Sequence, residues 1–406
     1  MQREAERDRE RDPLTAALAS GRAVVAVSLL FAVNGLVIGG YGGVLPALRE
    51  RLGIDATHVA VLLFAGSLAA IASMQVGGRL SDRLGAREVA LAGLPLALAA
   101  AVTVALATTF PVAVLGAALL GLGNGTMDVS MNALGVQVEA ARRRPVMSSF
   151  HARWSIGAFV GAGSVFLSAE VLGRTGSGVV MPLMLFLAGL TLLAFVVAWR
   201  ITPRAEVVDH HVDGVRTKIP SIAWVLALMA LAFGLSEGTA TDWSSLHVTE
   251  VAGVAPTTGA LGLVAVSGFM LAIRLVGDRL VARFGRRAVV RFGGGCAAIG
   301  YATVAWVSGF PALLAGWAVV GLGVGMIAPQ VYALAGHVGG GRVLAVVVTF
   351  GYAAFLAGPA LIGFLVAHLG LHHAMVVPAV LCAGIVGLAA TMPRSDADLA
   401  GTRSAG

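Results

Sequence analysis

Polar and ionisable side chains interrupt several long apolar runs of this sequence. Glu237, Thr241 and Ser244 follow at i, i+4 and i+7, which places them on one face of a helix. Asp128 and Asn132 are likewise four residues apart. A carboxyl group in apolar surroundings favours its protonated form, and a nearby cation favours the ionised form. Side chains with this spacing can therefore exchange a proton or hold a polar solute.

The apolar run after Asp128 carries a possible cationic partner. His151 and Arg153 lie near its start, and the connection between the two runs is short. We therefore expect antiparallel neighbours in which Asp128 and Arg153 form a buried pair, either a static salt bridge or a protonatable relay or substrate clamp. Glu237 has no obvious cationic partner in its own half of the chain. It is our first candidate for proton coupling and Asp128 the second, the alternative for Glu237 being a hydrated residue near the membrane surface.

Apolar segments of membrane-spanning length position these side chains. The chain is 58% hydrophobic and 12% charged, whereas soluble domains carry about 25% charged residues. A spanning helix needs about 20 apolar residues and satisfies its own backbone hydrogen bonds. The sequence predicts twelve such spans: 22–46, 57–78, 88–108, 111–138, 147–171, 178–200, 220–243, 257–276, 288–307, 311–335, 343–367 and 373–392.

The distribution of lysine and arginine predicts the orientation. With the N-terminus in the cytoplasm, most of the 28 basic residues fall on the cytoplasmic side, Arg274 among them. This arrangement explains the net charge of +7 without a nucleic-acid partner. We expect a multi-pass protein of a bacterial-type inner membrane with both termini cytoplasmic. The expected parts are a tail (1–21), a six-helix bundle (22–200), a linker (201–219), a second bundle (220–392) and a tail (393–406).

The sequence also repeats itself. Residues 77–87, GGRLSDRLGAR, return two hundred positions later as 277–287, GDRLVARFGRR. Phe110-Pro111 returns as Phe310-Pro311 in the same register. Matches that keep one offset over a long stretch indicate an internal duplication.

Twelve spans in two repeats, each with a charged loop after its second span, resemble the major facilitator superfamily. The loop signature of that family, Gly-x-Leu-Ala-Asp-Arg-x-Gly-Arg-Lys, is matched by Gly78, Leu80, Asp82, Arg83, Gly85 and Arg87. Ser81 and Ala86 depart from it. The resemblance implies an all-α polytopic fold of two six-helix bundles related by a pseudo-twofold axis. Residues 124–132 and 150–155 look like the YbjJ-like branch of the family.

The resemblance also implies roles for individual residues. Asp82 would cap a helix of the opposite half that begins near Arg342, and this contact would hold the outward-facing state. The alternative is a charge cluster that only sets topology. The conformational latch comprises Gly78, Asp82, Arg83, Gly85 and Arg87. Family spans 1, 4, 7 and 10 line the cavity, and the candidate substrate-binding residues are Asn34, Asn132, His151, Arg153, Trp243, Gln330, Tyr332 and Tyr352. Trp243 has a second interpretation as an aromatic residue at the membrane interface.

We therefore expect a secondary active transporter that moves a small organic solute by alternating access, coupled to protons. The sequence has no nucleotide-binding loop, metal-ligand spacing or nucleophile with a neighbouring base, so no enzyme activity, cofactor or metal is expected. The expected partners are the solute, protons and membrane lipid, and the chain is expected to act as a monomer. Two alternatives remain, a transport-inactive sensor and a proton-driven efflux pump for drugs or amphiphiles. Residues 157–163 lack the Gly-Pro signature of drug-efflux antiporters.

Overall fold

A computed structural model describes residues 13–143, 146–173, 175–204 and 219–393. Within these ranges every regular element is a helix. The predicted linker and the two predicted tails lie largely outside the described residues. The fold is therefore built from the apolar segments that the sequence analysis identified.

The first six long helices each overlap one predicted span. A short helical segment, 13–19, precedes them, and a 3-10 turn, Gly176–Val179, leads into the sixth. The six are α1 (Gly21–Leu52), α2 (Ala56–Leu84), α3 (Ala86–Leu106), α4 (Phe110–Arg142), α5 (Met147–Leu172) and α6 (Val180–Ile201).

The remaining helices accommodate the last six predicted spans. They are α7 (Ser221–Ala252), α8 (Leu261–Val304), α9 (Phe310–Ala374) and α10 (Val376–Leu388), with short turns at Pro256–Gly259 and Ala389–Thr391. Both α8 and α9 take up two predicted spans. Gly285 divides α8 because its φ of 78° and ψ of 157° are not helical.

Ten of the described helical segments are long and apolar enough to cross a membrane. The predicted spans 288–307 and 373–392 are not among these ten. Arginines at 286, 287 and 291 open the second part of α8, and the final apolar helix, Val376–Thr391, is short. The all-helical, polytopic fold class is confirmed, with two of the predicted spans shorter or more polar than the rest.

The internal duplication is visible in equivalent glycines. Gly85 and Gly285 have φ values of 95° and 78°, a region that residues with a side chain rarely adopt. A Cβ atom at Gly121 would overlap the main-chain oxygen of Gly66, and one at Gly321 would overlap that of Val266. The two repeats therefore use the same helix break and the same close helix approach.

The chain divides into two compact units. One contains Met1–Tyr41, Glu50–Gly53 and Ala65–Asp213, and the other contains Gly42–Arg49, Ile54–Phe64 and Gly214–Gly406. Arg49 belongs to the second unit, where its side chain pairs with Glu250 of α7. The domain boundaries expected from the sequence stay predictions, and each unit is described separately below.

Replacing Gly121 by alanine should destabilise the first unit. The added methyl group has to displace the backbone of α2, and overpacking of this kind costs about 1–3 kcal/mol. Gly189→Ala is the matched control, because a Cβ atom at Gly189 of α6 would meet no atom within 4 Å. Thermal denaturation in detergent should show a lower melting temperature for Gly121→Ala and an equal or higher one for Gly189→Ala. Equal melting temperatures for the two variants would contradict the close helix approach.

Candidate functional site

A chain of hydrogen bonds links three helices of the first unit. Asn34 of α1 donates from Nδ2 to Oδ1 of Asn124 on α4 over 3.0 Å, and its own Oδ1 accepts from Nε1 of Trp154 on α5 over 2.8 Å. Asn34 is only 4% exposed, so both ends of its amide hold neighbouring side chains in place. The two amides also border a small pocket, whose other lining side chains are Val33, Val37, Ile38, Ala97, Leu120 and Met127.

Asn124 and Trp154 were not among the expected site residues, although Asn34 was. The only signal in the sequence was their place in the two stretches that resemble the YbjJ-like branch. An amide or an indole in a spanning helix is usually a packing residue that bonds across helices. Pairing with Asn34 identifies these two as parts of one polar cluster.

Asp128 and Asn132 lie on one face of α4, as their spacing predicts. Nδ2 of Asn132 lies 2.8 Å from the main-chain oxygen of Asp128 and 3.3 Å from its Oδ1. Arg153 donates to the main-chain oxygen of Ser149, one turn earlier on α5, over 2.8 Å. His151 packs edge-on against Phe31, with ring centroids 5.2 Å apart. The ion pair expected between Asp128 and Arg153 stays a prediction.

In the second unit, Glu237 of α7 faces a cation. Nη2 of Arg274 on α8 lies 3.3 Å from Oε1 of Glu237, and the two side chains are 16% and 15% exposed. The expectation that Glu237 has no cationic partner in its own half is therefore wrong. Arg274 also does not belong with the loop cations, because it lies inside the candidate span Pro256–Gly277.

The sequence contained a signal for this pair. Glu237 and Arg274 lie about four helical turns before and after the connection at 253–260. Helices joined by a short connection run antiparallel, so two residues equally far from it reach a similar depth. The distribution of cations between loops does not reveal this relation.

The Glu237–Arg274 contact is long for an ion pair. Charge-assisted N–H···O bonds are typically about 2.7–2.9 Å, against 3.3 Å here. Nε of the same guanidinium donates to the main-chain oxygen of Gly325 on α9 over 3.4 Å. Thr241, expected on the same face, donates to the main-chain oxygen of Glu237 over 2.9 Å and so holds the backbone.

The backbone beside Glu237 is held from two other segments. The hydroxyl of Tyr301, from the second part of α8, donates to the main-chain oxygen of Ser236. The thiol of Cys382 on α10 donates to the hydroxyl of Ser236 over 3.2 Å. All three residues are fully buried. These contacts fix the position of the turn of α7 that carries Glu237.

The other expected solute contacts of the second unit lie in different environments. Trp243 is 1% exposed, so the interpretation as a membrane-interface residue is wrong. Gln330 is buried, whereas Tyr352 is 36% exposed. Tyr332 is half-buried, and its hydroxyl packs next to Gly351, the neighbour of Tyr352. Contact of these residues with a solute stays a prediction.

Within the first unit, the charged loop secures helix ends. Arg87 donates to the main-chain oxygens of Trp199 and Thr202, each over 2.9 Å, and its guanidinium lies 5.7 Å from the Trp199 ring. A cation at the C-terminal end of α6 is favourable because carbonyl groups point there. Asp82 and Arg83 are exposed, and Gly78 lies against Val129. The contact of Asp82 with the opposite half stays a prediction, because the Arg342 side chain lies outside the described part.

Comparison with known proteins identifies the class. The family model of the Major Facilitator Superfamily matches residues 27–340 and 226–405. The chain belongs to the major facilitator superfamily and is a multi-pass membrane transporter. Members of such a family are typically transporters and not enzymes. The assignment to the YbjJ-like branch stays a prediction.

Several relatives cover most of the chain. The uncharacterized transporter y4wD of Sinorhizobium fredii is 33% identical over 82% of this chain and 89% of its own length. An uncharacterized MFS-type transporter of Yersinia pestis, YPO1221/y2967, is 31% identical over 84% of this chain and 88% of its own length. Membrane protein MosC of Rhizobium meliloti is 27% identical, over 87% and 86% respectively.

Solved structures share the fold. A point mutant of the nucleoside transporter NupG superposes with a TM-score of 0.71 at 12% identity, over 90% of this chain and 97% of its own. The human organic anion transporter MFSD10 gives a TM-score of 0.64 at 14% identity, over 91% and 99%. At these identities the likeness concerns the fold alone.

Removing one partner of the Glu237–Arg274 pair should destabilise the protein more than removing both. Arg274→Met leaves a carboxylate without its counter-charge in a largely buried place, which costs about 3–5 kcal/mol. The double variant Glu237→Gln/Arg274→Met removes both charges and should recover much of that loss. Melting temperatures of the two single variants and the double variant form a double-mutant cycle. Additive effects would mean that the two side chains do not interact.

Proposed function

We propose that this transporter is a proton-coupled secondary active transporter of a small organic solute, working by alternating access. The observation that carries the proposal is the Glu237–Arg274 pair on two adjacent membrane-spanning helices. Ionisable side chains within spans are expensive, and in transporters they mark ion and substrate pathways. A pair that only stabilised the bundle could be replaced by apolar residues with little loss.

Protonation of Glu237 supplies the coupling step. Arginine keeps its proton in proteins, so a proton arriving at this site is taken up by the carboxylate. The proton neutralises Glu237 and so removes the negative charge that this side chain presents to Arg274. A change of one charge within a buried pair shifts the balance between conformations that hold the pair differently. Asp128 is the second candidate for this role.

Two further groups of residues belong to the proposed mechanism, a conformational latch and a set of solute contacts. The exposed loop with Asp82 and Arg83 acts as the conformational latch, together with Gly78, Gly85 and Arg87. The proposed solute contacts are Asn34, Asn132, His151, Arg153, Trp243, Gln330, Tyr332 and Tyr352.

The transporter operates as a monomer in a bacterial-type inner membrane with both termini in the cytoplasm.

The test requires a solute and a proton gradient. A thermal-shift screen of the detergent-solubilised protein across sugars, vitamins, amino acids and antibiotics identifies compounds that bind. Proteoliposomes containing the full chain then report uptake of the bound compound with and without a pH gradient. We expect accumulation against the solute gradient only when the pH gradient is present.

Glu237→Gln should separate coupling from transport. We expect it to lose gradient-driven accumulation by about tenfold or more, because an amide cannot take up the proton. Exchange of labelled for unlabelled solute, which needs no net proton movement, should be retained. Glu170→Gln is the matched control, since Glu170 is an exposed carboxylate near the end of α5. Full gradient-driven accumulation by Glu237→Gln would remove Glu237 from the coupling role.

The same assays distinguish the alternative functions. A proton-driven efflux pump would raise drug resistance in cells that overproduce the protein. A transport-inactive sensor would bind a compound in the thermal-shift screen without any flux in proteoliposomes. Either result would replace the proposed solute uptake.

A further inference from the structure

We infer that the stacked imidazoles of His247 and His372 form a proton-operated contact in the second unit. When both rings are neutral, the contact holds the end of α9 against α7, and protonation of His372 releases it. The inference goes beyond the proposed function and does not require Glu237 to receive the coupling proton. Three observations support it: the geometry of the rings, their hydrogen bonding and the groups that face them.

The two imidazole rings stack face to face. His247 lies on α7 and His372 in the last turn of α9, with ring centroids 5.8 Å apart and ring planes 8° apart. His247 is 0% exposed, whereas His372 is half-buried and the adjacent His373 is exposed. The stack therefore extends from the core of the unit towards its surface, and a proton can reach His372 without unpacking His247.

The nitrogen atoms at this contact are poorly hydrogen-bonded. Among the described residues, neither ring nitrogen of His247 has a hydrogen-bond partner, and Nδ1 of His372 has none. Nε1 of Trp317, whose ring lies edge-on to His247 at 5.5 Å, is also without one. Buried polar atoms are usually paired, and unpaired ones are unfavourable. Ring packing thus holds the contact together, so a change of charge acts against few other interactions.

The groups that face the two imidazoles cannot neutralise a positive charge. His372 is the titratable group that faces His247, and His373 faces His372. The main-chain oxygens of Val304 and Trp306, at the end of α8, lie near His247 and His372 respectively. Carbonyl groups at a helix end carry only a partial negative charge.

The other titratable side chains around the contact have partners elsewhere. Glu250, three residues after His247 on α7, pairs with Arg49. The hydroxyl of Tyr301 and the thiol of Cys382 both bond to Ser236. In the part of the chain that the structure describes, an imidazolium at this contact therefore has no carboxylate as counter-charge.

Protonation of His372 opens the contact. Histidine is the side chain whose charge normally changes between about pH 5 and 8. A charged ring stacked on the fully buried His247 is unfavourable without a counter-charge. We expect it to turn towards the water beside His373 and to separate from His247. The open form carries a proton that the closed form lacks, so acid favours opening, by up to about tenfold per pH unit.

A row of buried rings connects this contact to the turn that carries Glu237. The Trp317 ring lies edge-on to His247 and the Tyr301 ring edge-on to Trp317, each with centroids 5.5 Å apart. The Tyr301 hydroxyl donates to the main-chain oxygen of Ser236, the neighbour of Glu237. Separation of the stack removes packing from one end of this row, whose other end positions that turn.

The first test measures opening in the unmodified full chain in detergent by hydrogen–deuterium exchange. The exchange rate of the amides in residues 366–375, divided by the chemical exchange rate at the same pH, reports the population of the open form. We expect this normalised exchange to rise as the pH is lowered from about 7.5 to about 5.5, by up to about tenfold per pH unit. Equal normalised exchange at the two pH values would overturn the inference.

Two variants assign the change to the stacked pair. His372→Phe keeps a ring against His247 but takes up no proton, so its normalised exchange should be independent of pH. It also removes an unpartnered nitrogen, so its melting temperature at neutral pH should equal or exceed that of the unmodified protein. His368→Phe removes an exposed histidine one turn earlier on α9 and should keep the pH dependence. Persistence of the pH dependence in His372→Phe, or its loss in His368→Phe, would contradict the assignment.

Glu237→Gln separates this contact from the proposed coupling site. It removes the carboxylate and leaves the stack intact, so residues 366–375 should keep their pH-dependent exchange. Loss of that dependence would assign the proton to Glu237 and overturn the inference. In the same variant, exchange in residues 233–240 should still rise with acid, and constant exchange there would reject the connection through the row of rings. Neither result depends on gradient-driven accumulation, so this inference and the proposed function can fail independently.

Discussion

The polar organisation of the second unit depends on compensating one buried negative charge. Glu237 is carried by a helix turn whose neighbouring residue, Ser236, is held by Tyr301 and Cys382. Removing a carboxylate from water is expensive, and the nearby Arg274 offsets that cost. The contact between the two charged groups is long for an ion pair. Its placement within two adjacent spans is the observation that supports the proposed role of Glu237 in proton coupling.

The two repeats share features of helix packing and differ in their polar side chains. The helix break at Gly85 returns at Gly285, and the close approach at Gly121 returns at Gly321. The polar clusters are not repeated. Positions two hundred residues before Glu237 and Arg274 carry Val37 and Met74, and those two hundred residues after Asn34 and Asn124 carry Gly234 and Val324. The architecture is thus shared by the two repeats, while the polar side chains differ between them.

The sequence predicts the helices better than it predicts their polar contacts. The length of the apolar runs predicts the ends of α1 to α7 with errors that range from a few residues to about ten. The prediction works because a spanning segment needs this length whatever it packs against. The distribution of charges between loops does not show that Arg274 lies inside a span. A cation in the last turns of a span cannot be told from a loop cation until its partner is known. Asn124 and Trp154 were missed for a similar reason: their role follows from bonding to Asn34, a contact between residues far apart in sequence.

The identity of the cation also determines how the pair responds to a proton. A lysine opposite Glu237 could lose its own proton in a low-dielectric site, and the pair could then become neutral in two ways. Arginine keeps its charge throughout, so only the carboxylate can change its protonation. The pair therefore has a single proton-accepting group and a permanent cation. A site with these two properties suits the proposed coupling step, in which Glu237 receives the proton.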